Sequence, residues 1–495
     1  MKRVILFRGN AYQSEEEKVY LIPLSLLSLA ASLHEPPVIL DGNVHSETEC
    51  CRLIDGDILC VGISALTGPE VASGLRFAKL IRERHPEVPI IWGGWHVSCL
   101  PQQSIKNPYV DAVVVGLGQE MLSVMVSGLK EGRNLQGIHY ASHFDLANFP
   151  LPAFHLIDME FYRRESLLLL PYPEIDGQKL TGYLYYVTSF GCPHACGFCS
   201  NNTLFHHRWA GYAIDKVVQQ LNWLADEKGF NCVALNDAEF FHRVDRVEYF
   251  CDHVQGFVWD AQASVKSILY LESKDLLSKI RKSGCWHMNV GIESGSAELL
   301  KYMNKGISTD DILRVASALK NNGIVGCYNF LFALPAEQEA SLNDSFDLAY
   351  RLKEINADSP LPVSFYSPLP DNPIFQDSIQ RGFQSPQSLE EWGNYNPSYG
   401  RLNPALPWGQ RRREKLIYNV MTFYLPMAVP GNLMRGTITS FKQKVERSAI
   451  LRLISKVARF RMDQRWFSFP FERLFFDLHC WLMHKTSYVS GRWKL

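Results

Sequence analysis

No stretch of this sequence is apolar for long enough to cross a bilayer. The nearest candidate, Val19–Leu33, falls short of the roughly 20 residues a spanning helix needs and is interrupted by Pro23. The opening Met1–Arg8 is too short in its apolar part to serve as a secretory signal, so a reducing, cytoplasmic setting is expected. Net charge is almost absent: 50 Lys and Arg stand against 51 Asp and Glu. A second C-x2-C pair, which a structural zinc site would want, is missing. The 12 cysteines are mostly scattered along 495 residues, which excludes a disulfide framework. No nucleic-acid-binding motif is found, so no nucleic-acid partner is expected.

What charge there is lies unevenly. From Arg401 to Leu495 there are 18 basic and 5 acidic residues, leaving 32 basic and 46 acidic residues before them. A basic tail on an acidic body points to an anionic partner, a membrane surface or the protein's own acidic face. The length predicts two or three domains, and a hydrophobic share of 46% is ordinary for a chain with sizeable cores.

One cluster of cysteines breaks the scatter. Gly191-Cys-Pro-His-Ala-Cys-Gly-Phe-Cys-Ser200 holds Cys192, Cys196 and Cys199 in a C-x3-C-x2-C spacing. Three thiolates this close can face one metal centre, and Gly191, Pro193 and Gly197 suit the tight loop that lets them converge. A 4Fe–4S cube held by three ligands keeps one iron open for a small molecule. Zinc with a fourth ligand from His194, His206 or His207 is the competing reading.

Upstream, about residues 1–150, short apolar strands alternate with helical patterns. Strands are predicted at Val4–Phe7, Pro37–Leu40, Ile58–Ile63, Val88–Trp92 and Val110–Val115, with helices at Leu21–Leu33 and Val71–Arg84. That alternation predicts a doubly wound parallel sheet of Rossmann-like type, with ligands at the carboxyl ends of the strands. Asp41, Ser64, Leu66, Thr67, Gly93, Gly94 and Gly116 fall at such ends. The pattern alone leaves nucleotide, flavin and cobalamin open.

Downstream, about residues 151–370, the alternation resumes after a mixed aromatic linker at Pro150–Tyr172. Six strands are predicted at Tyr183–Thr188, Asn231–Leu235, Val258–Ala263, Trp286–Ile292, Val325–Ala333 and Pro362–Ser367. Helices are predicted between them at Asp215–Lys228, Arg246–Val254, Lys274–Ser283, Asp310–Asn321 and Leu342–Ile355. The set reads as a partial (β/α)6 barrel of TIM type, whose chemistry belongs at the carboxyl ends of the strands. The cysteine loop, Asp237, Glu293 and Pro335 all fall there. Cys232, Cys285 and Cys327 lie in or beside strands and read as buried hydrophobes.

The triplet, with Phe198 before its third cysteine, resembles the signature of the radical S-adenosylmethionine enzymes. With Pro23–Leu29, Gly62-Ile-Ser-Ala-Leu-Thr-Gly68, Gly93-Gly-Trp-His-Val-Ser98 and Asp111–Glu120 before it, the chain resembles the cobalamin-dependent members of that family. Asn236-Asp-Ala-Glu-Phe240, Gly291-Ile-Glu-Ser-Gly295, Met303-Asn-Lys-Gly306 and Phe332-Ala-Leu-Pro-Ala-Glu337 extend the likeness over about residues 1–370. The resemblance implies a 4Fe–4S cluster on Cys192, Cys196 and Cys199. It implies S-adenosylmethionine held near Phe198, Asp237, Gly291, Glu293, Ser294, Gly295 and Pro335, and cobalamin on the strand-end residues of the first domain. Three departures stand out. Gly116-Leu-Gly-Gln119 replaces the family's Gly-Glu-Gly-Glu. Two alanines, Ala333 and Ala336, stand for its glycines. No Asp-x-His-x-x-Gly motif offers a cobalt ligand, since Asp41-Gly-Asn-Val-His45 has the wrong spacing. His96 reads as a turn histidine bonded to the backbone.

Residues 371–495 are expected to be mainly helical. Gln376–Pro407 reads as loops, Arg411–Tyr424 as a helical region and Phe441–Phe460 as a basic helix. Phe467–Met483 is aromatic, with Trp466, Phe467, Phe469, Phe471, Leu474, Phe475, Phe476, Leu478, Trp481 and Leu482 beside many cations. Two readings compete: a cap over the barrel mouth, or an element for peripheral membrane contact or a hydrophobic substrate.

The resemblance implies an enzyme that methylates an unactivated carbon of a small or hydrophobic metabolite, drawing electrons from a reductant such as flavodoxin or ferredoxin. The alternative within the family is oxidative cyclisation of the anaerobic magnesium-protoporphyrin ester cyclase type. From another class, the alternative is a cobalamin- or cluster-binding sensor without turnover. No catalytic side chain is singled out.

Overall fold

A computed structural model describes residues 2–12, 18–141, 145–170, 172–397, 400–431, 441–467, 471–474 and 476. Two six-stranded parallel sheets dominate it. The first contains β1 (Arg3–Arg8), β2 (Val38–Asp41), β3 (Ile58–Ser64), β4 (Ile90–Gly93), β5 (Ala112–Val115) and β6 (Gly137–Tyr140). Their order is β2-β1-β3-β4-β5-β6, so the winding reverses between β1 and β3. The runs Val4–Phe7 and Ile58–Ile63 are apolar throughout because helices cover both faces of the sheet. β6 has no counterpart in the sequence reading: Gly-Ile-His-Tyr is a half-exposed edge strand without a clean apolar run. The first helix spans Leu24–Ala31, not Leu21–Leu33, because Pro23 stands at its start.

The second sheet contains β7 (Tyr183–Tyr186), β8 (Cys232–Leu235), β9 (Val258–Ala263), β10 (Cys285–Glu293), β11 (Val325–Phe332) and β12 (Val363–Phe365), neighbours in chain order. It curls into the half-barrel expected of a partial (β/α)6 unit. Alternate residues Leu184 and Tyr186, Trp259 and Ala261, Met288 and Val290, and Tyr328 and Phe330 pack outward against the surrounding helices. Cys232, Cys285 and Cys327 are buried as predicted.

Three helical details depart from the sequence reading. The helix expected at Lys274–Ser283 is found at Leu277–Lys282, and a further helix, Val265–Ser273, precedes it. Ser264 caps this preceding helix by accepting from the Ser267 N–H at 3.1 Å, and Asp275 turns the chain between them at φ +56°. The linker at 150–172 contains a helix, Met159–Ser166, capped by Asp158. Gln376–Pro407 is not all loop: the helix Pro373–Gln380 runs into it, and Leu389–Asn394 lies within it. The latter helix packs on Pro69–Arg84 of the first domain, with Gly393 pressed against Ala72 and Asn107 donating to Glu390 at 2.7 Å.

Among the described residues the carboxyl-terminal helices pack beside the last strand of the half-barrel. Arg411–Tyr418 sets Tyr418 on Phe365 of β12, and helix Ala449–Gln464 packs on Leu425–Ala428. Phe467 and Arg465 reach Phe346 and Asp347 on the barrel helix Glu339–Ile355. The region therefore covers the flank beside the last strand, where a sheet edge needs cover. Phe469, Phe475, Leu478, Trp481 and Leu482 lie outside the described residues. Among the described residues no helix is long and apolar enough to cross a membrane.

Candidate functional site

The cysteine loop hangs from a short antiparallel pair, Ser189–Gly191 and Trp209–Gly211, just beyond the carboxyl end of β7. Gly191 enters it at φ +83°, a conformation glycine adopts without penalty. The loop is tied down along its length. Gly197 donates to the Met303 carbonyl at 2.8 Å and accepts from the Ile374 N–H at 3.0 Å. Asn304 Nδ2 donates to the Ala195 carbonyl at 2.8 Å. Phe198 packs with Leu300, Met303, Leu334 and Ile374.

Cys192, Cys196 and Cys199 are half-buried thiols outside any disulfide, close enough that their charges act on one another. Burial pushes the Cys192 thiol up to about 12 and also raises those of Cys196 and Cys199. Metal binding there must release protons. Among the described residues no three His, Cys, Asp or Glu side chains close on one point, as a single ion would require. A cube differs in that it offers each thiolate its own corner iron.

Beside the loop, Glu293 closes β10 in the left-handed region at φ +65° and pairs with Lys305 Nζ at 3.1 Å. Lys305 also sits 5.8 Å over the Phe198 ring. Burial lowers the Lys305 pKa, but Glu293 and the neighbouring thiols outweigh it, and the ammonium is held above its ordinary value. A Cβ on Gly291 would meet Glu293 Oε1 at 2.7 Å, so a side chain there would displace the Glu293 carboxylate. Cys196, Cys199, Phe198, Gly291 and Glu293 are thus gathered together.

Other expected contacts are engaged elsewhere. Asp237 is fully buried and accepts from the Thr188 N–H (2.7 Å), the Thr188 hydroxyl (2.6 Å) and the Ser189 hydroxyl. Arg246 clasps the same turn through the carbonyls of Thr188 and Tyr212. Burial raises the Asp237 carboxyl, against the pull of those hydrogen bonds. These bonds anchor the turn between β7 and the cysteine loop. Ser294 and Gly295 are likewise taken up by helix Glu339–Ile355: the Gly295 N–H donates to Ser345 Oγ at 3.0 Å, and Ser294 Oγ lies 3.1 Å from it. Gly295 is glycine because a Cβ would stand 2.2 Å from the Asp344 carbonyl. Pro335 is buried, and its carbonyl accepts from Arg381 at 3.2 Å.

The sequence reading passed over two groups near the cysteines. Lys305 lay within the quoted Met303–Gly306 stretch, but a lysine in a loop carries no signal of burial. Glu239, two residues after Asp237, is 1% exposed and touches His194 of the cysteine loop at 3.2 Å. Its Oε1 has no partner, and a buried acceptor in that state is aimed at something. His194 also meets Ser264 Oγ at 3.1 Å, joining the loop to the ends of β8 and β9.

The concave face of the half-barrel is polar. Tyr185, Asp260, Gln262, Asn289 and Asn329 alternate with the outward core residues, and adjacent strands set Asp260 level with Tyr185 through Ala234, and Gln262 level with Asn289. Asn289 Nδ2 donates to Asp260 at 3.3 Å. Burial, reinforced by Asp260, pushes the Tyr185 phenol up to about 12. Barrel interiors are ordinarily filled by branched aliphatic side chains, and four of these five are instead half-buried amides and a phenol open to solvent.

In the first domain the strand ends form a glycine cradle. Ser98 Oγ donates to the Gly94 carbonyl (2.7 Å) and accepts from the Gly116 N–H (3.1 Å), drawing the ends of β4 and β5 together. Gly94 has φ +94°, and a Cβ there would stand 2.9 Å from the Ala65 backbone. Gly93 leaves its backbone bare, with nothing closer to a Cβ than 4.0 Å. Leu66 projects outward beside Ser64 and Thr67. His96 is fully buried, and its Nδ1 meets Thr67 Oγ1 at 3.0 Å, a side-chain partner where a backbone carbonyl was expected. Burial pushes its pKa down to about 4, so it is neutral. Asp41 pairs with Arg8 at 2.8 Å and accepts from the Tyr162 hydroxyl at 2.8 Å, tying the first sheet to the helix at 159–166.

The Radical SAM superfamily description matches residues 186–349, and the B12 binding domain description matches residues 17–126. An uncharacterized methyltransferase of Pyrococcus horikoshii is 25% identical over 353 residues, covering 67% of this chain and 73% of that protein. The anaerobic magnesium-protoporphyrin IX monomethyl ester cyclase of Rubrivivax gelatinosus is 27% identical over 334 residues, 64% of this chain and 58% of its own length. Among solved structures, the cobalamin-dependent S-adenosylmethionine radical enzyme OxsB with aqua-cobalamin bound matches with a TM-score of 0.66 at 15% identity, over 93% of this chain and 72% of that one. The radical S-adenosylmethionine methyltransferase TsrM of Kitasatospora setae matches with a TM-score of 0.59 at 15% identity, over 92% and 95%.

Proposed function

We propose that this chain, which belongs to the cobalamin-dependent radical S-adenosylmethionine enzymes, methylates an unactivated carbon of a small, hydrogen-bonding metabolite. The carrying observation is that three half-buried thiols on one pinned loop stand at the mouth of a polar half-barrel, in a chain that also presents a bare glycine cradle. The residues fit the cofactor set: a cube on Cys192, Cys196 and Cys199, S-adenosylmethionine beside Phe198, Gly291, Glu293 and Pro335, and cobalamin on Ser64, Leu66, Thr67, Gly93, Gly94 and Gly116. When bound, the cluster with S-adenosylmethionine supplies an adenosyl radical, and cobalamin supplies the methyl group.

The chain's own residues do the rest. Asp237 and Arg246 fix the strand that carries the cysteines. Lys305 offsets the charge of Glu293 and of the cluster-bound thiolates in a largely buried setting, where such charges count for more than in water. Glu239 offers an unpaired oxygen to a cationic or hydroxyl group of what binds there. Tyr185, Asp260, Gln262, Asn289 and Asn329 orient a substrate by hydrogen bonds. This favours a polar reacting portion over the hydrophobic substrate that the aromatic tail evoked. As an enzyme of this class the protein acts on a small molecule and takes electrons from an external reductant. Flavodoxin or ferredoxin in the cytoplasm, and peripheral membrane contact through residues 371–495, complete the reading.

The test is turnover. The anaerobically loaded protein, given strong reductant and methyl-labelled S-adenosylmethionine with a metabolite extract, is expected to release 5′-deoxyadenosine and to place label on a product carbon. A cyclised, unlabelled product would move the assignment to the chemistry of the cyclase relatives. No cleavage of S-adenosylmethionine by a protein with a full cluster would leave a sensor.

A further inference from the structure

Helix Ala449–Gln464 carries two apolar stripes where a surface helix needs one. Leu451, Ile454, Ala458 and Met462 are buried, and they account for its packing on Leu425–Ala428. Ile450, Leu453 and Phe460 form the second stripe, and they are 52%, 64% and 55% exposed. At 3.6 residues per turn these three fall within an arc of roughly 80°, which adjoins the buried arc about 40° away at Ile454. Between the two, on the far side of the helix, stand Arg452, Lys456 and Arg459, all exposed. The preceding helix, Phe441–Arg447, adds exposed Lys442, Lys444 and Arg447. Exposed Trp466, Phe471 and Leu474 continue the apolar surface beyond the helix. Glu446 and Asp463 are the exposed acids of the two helices among the described residues.

Single exposed hydrophobes need no explanation, but large ones on one arc beside a basic arc do. A solvated face accounts for the cations and not for Leu453 or Phe460. A protein interface would meet both with acidic and apolar groups in register. A lipid surface meets them without register: acyl chains take the apolar stripe, and anionic headgroups take the cations that flank it. The strongly basic balance of residues 401–495 selects the anionic headgroup. We propose that the stripe Ile450–Leu453–Phe460, flanked by Arg452, Lys456 and Arg459, seats this protein on an anionic lipid surface, with the helix lying in the interface plane. The proposal specifies the peripheral contact named above and does not rest on the radical chemistry.

The experiment is co-sedimentation of the full-length, cofactor-loaded protein with vesicles of phosphatidylcholine, alone or mixed with phosphatidylglycerol. Binding is expected to the mixed vesicles and to fall as salt rises. Leu453→Glu with Phe460→Glu is expected to weaken it about tenfold or more, by placing charges where acyl chains would lie. Each of Arg452→Gln and Lys456→Gln is expected to weaken it about fivefold. Iron and corrinoid content and thermal midpoint should stay as in the parent, since these side chains are not packed in the core. Equal binding to both vesicle types, or none to either, overturns the proposal. So does a Leu453→Glu variant that keeps vesicle binding and loses thermal stability, because the chain's own final residues would then occupy the stripe. Absence of 5′-deoxyadenosine formation with vesicle binding intact would count against the radical chemistry alone.

Discussion

Two side chains that are not glycine close β10 and β11 in the left-handed region: Glu293 at φ +65° and Ala333 at φ +59°. Such backbone costs a non-glycine residue about 1–2 kcal/mol and persists where the surroundings impose it. At Ala333 the imposing bonds are the N–H to Glu337 Oε2 at 3.0 Å and the carbonyl to Trp408 Nε1 at 2.9 Å. Alanine is thus held at this position in a conformation that glycine would adopt without penalty. Ala333→Gly is expected to stabilise the protein by about 1 kcal/mol, read by denaturant unfolding, after the added freedom of the unfolded chain is set against the relieved strain. Glu337 gives a second prediction. Burial, eased by the Ala333 N–H and by Arg413, pushes its carboxyl up to about 7. Between its usual value and 7 the folded state keeps a proton that the unfolded state has released, so this group lowers stability as pH rises through that window. Buried His96, depressed to about 4, acts in the opposite sense as pH falls below its usual value. The difference between Glu337→Gln and the parent isolates the first effect. The variant's advantage in unfolding free energy should grow from pH 5 to 7 and level off above, reaching at most roughly 3 kcal/mol, as read by denaturant unfolding.

At the scale of elements, the cysteine loop is held by segments far away in sequence: Met303-Asn304, the start of the helix at 373, and the Asp237–Arg246 clasp under Thr188. Spacing made the three cysteines legible, because no other use of such a triplet competes strongly. The partners that Asp237, Asp41, Ser294 and Gly295 find within the fold were not legible. A carboxylate or glycine at a strand end looks the same whether it faces a ligand or a neighbouring helix, and only the fold distinguishes them. Gly295→Ala tests that distinction. Its Cβ meets the Asp344 carbonyl, so the variant should lose about 3 kcal/mol of stability, where a ligand-facing glycine would cost affinity alone. The helix Leu389–Asn394 was hidden in a polar stretch rich in turn residues. Its buried Trp392 meets His96 at 5.5 Å and Tyr395 at 5.2 Å, locking the segment to the first domain. Trp392→Ala should cost about 3–5 kcal/mol and expose residues 385–397 to proteolysis before the sheets themselves.

For the whole molecule, both parallel sheets were legible because strands covered on both faces read as short apolar runs separated by helical periods. The edge strand β6, the first helix after β9 and the flank position of the carboxyl-terminal helices were not, since each is settled by what packs against it. The two sheets are joined by the Arg8–Asp41–Tyr162 tie and by the helix at 389–394, so the glycine cradle and the cysteine loop belong to one connected body. The account stands on both cofactors being held by this one chain. The most direct measurement is iron, sulfide and corrinoid on a single anaerobic preparation of the parent and of Cys192→Ala, Cys196→Ala and Cys199→Ala. About four irons with about one cobalamin in the parent, and loss of iron with cobalamin retained in each variant, is the predicted result. A parent that takes up neither group when both are supplied, or cysteine variants that keep the full iron complement, would contradict it.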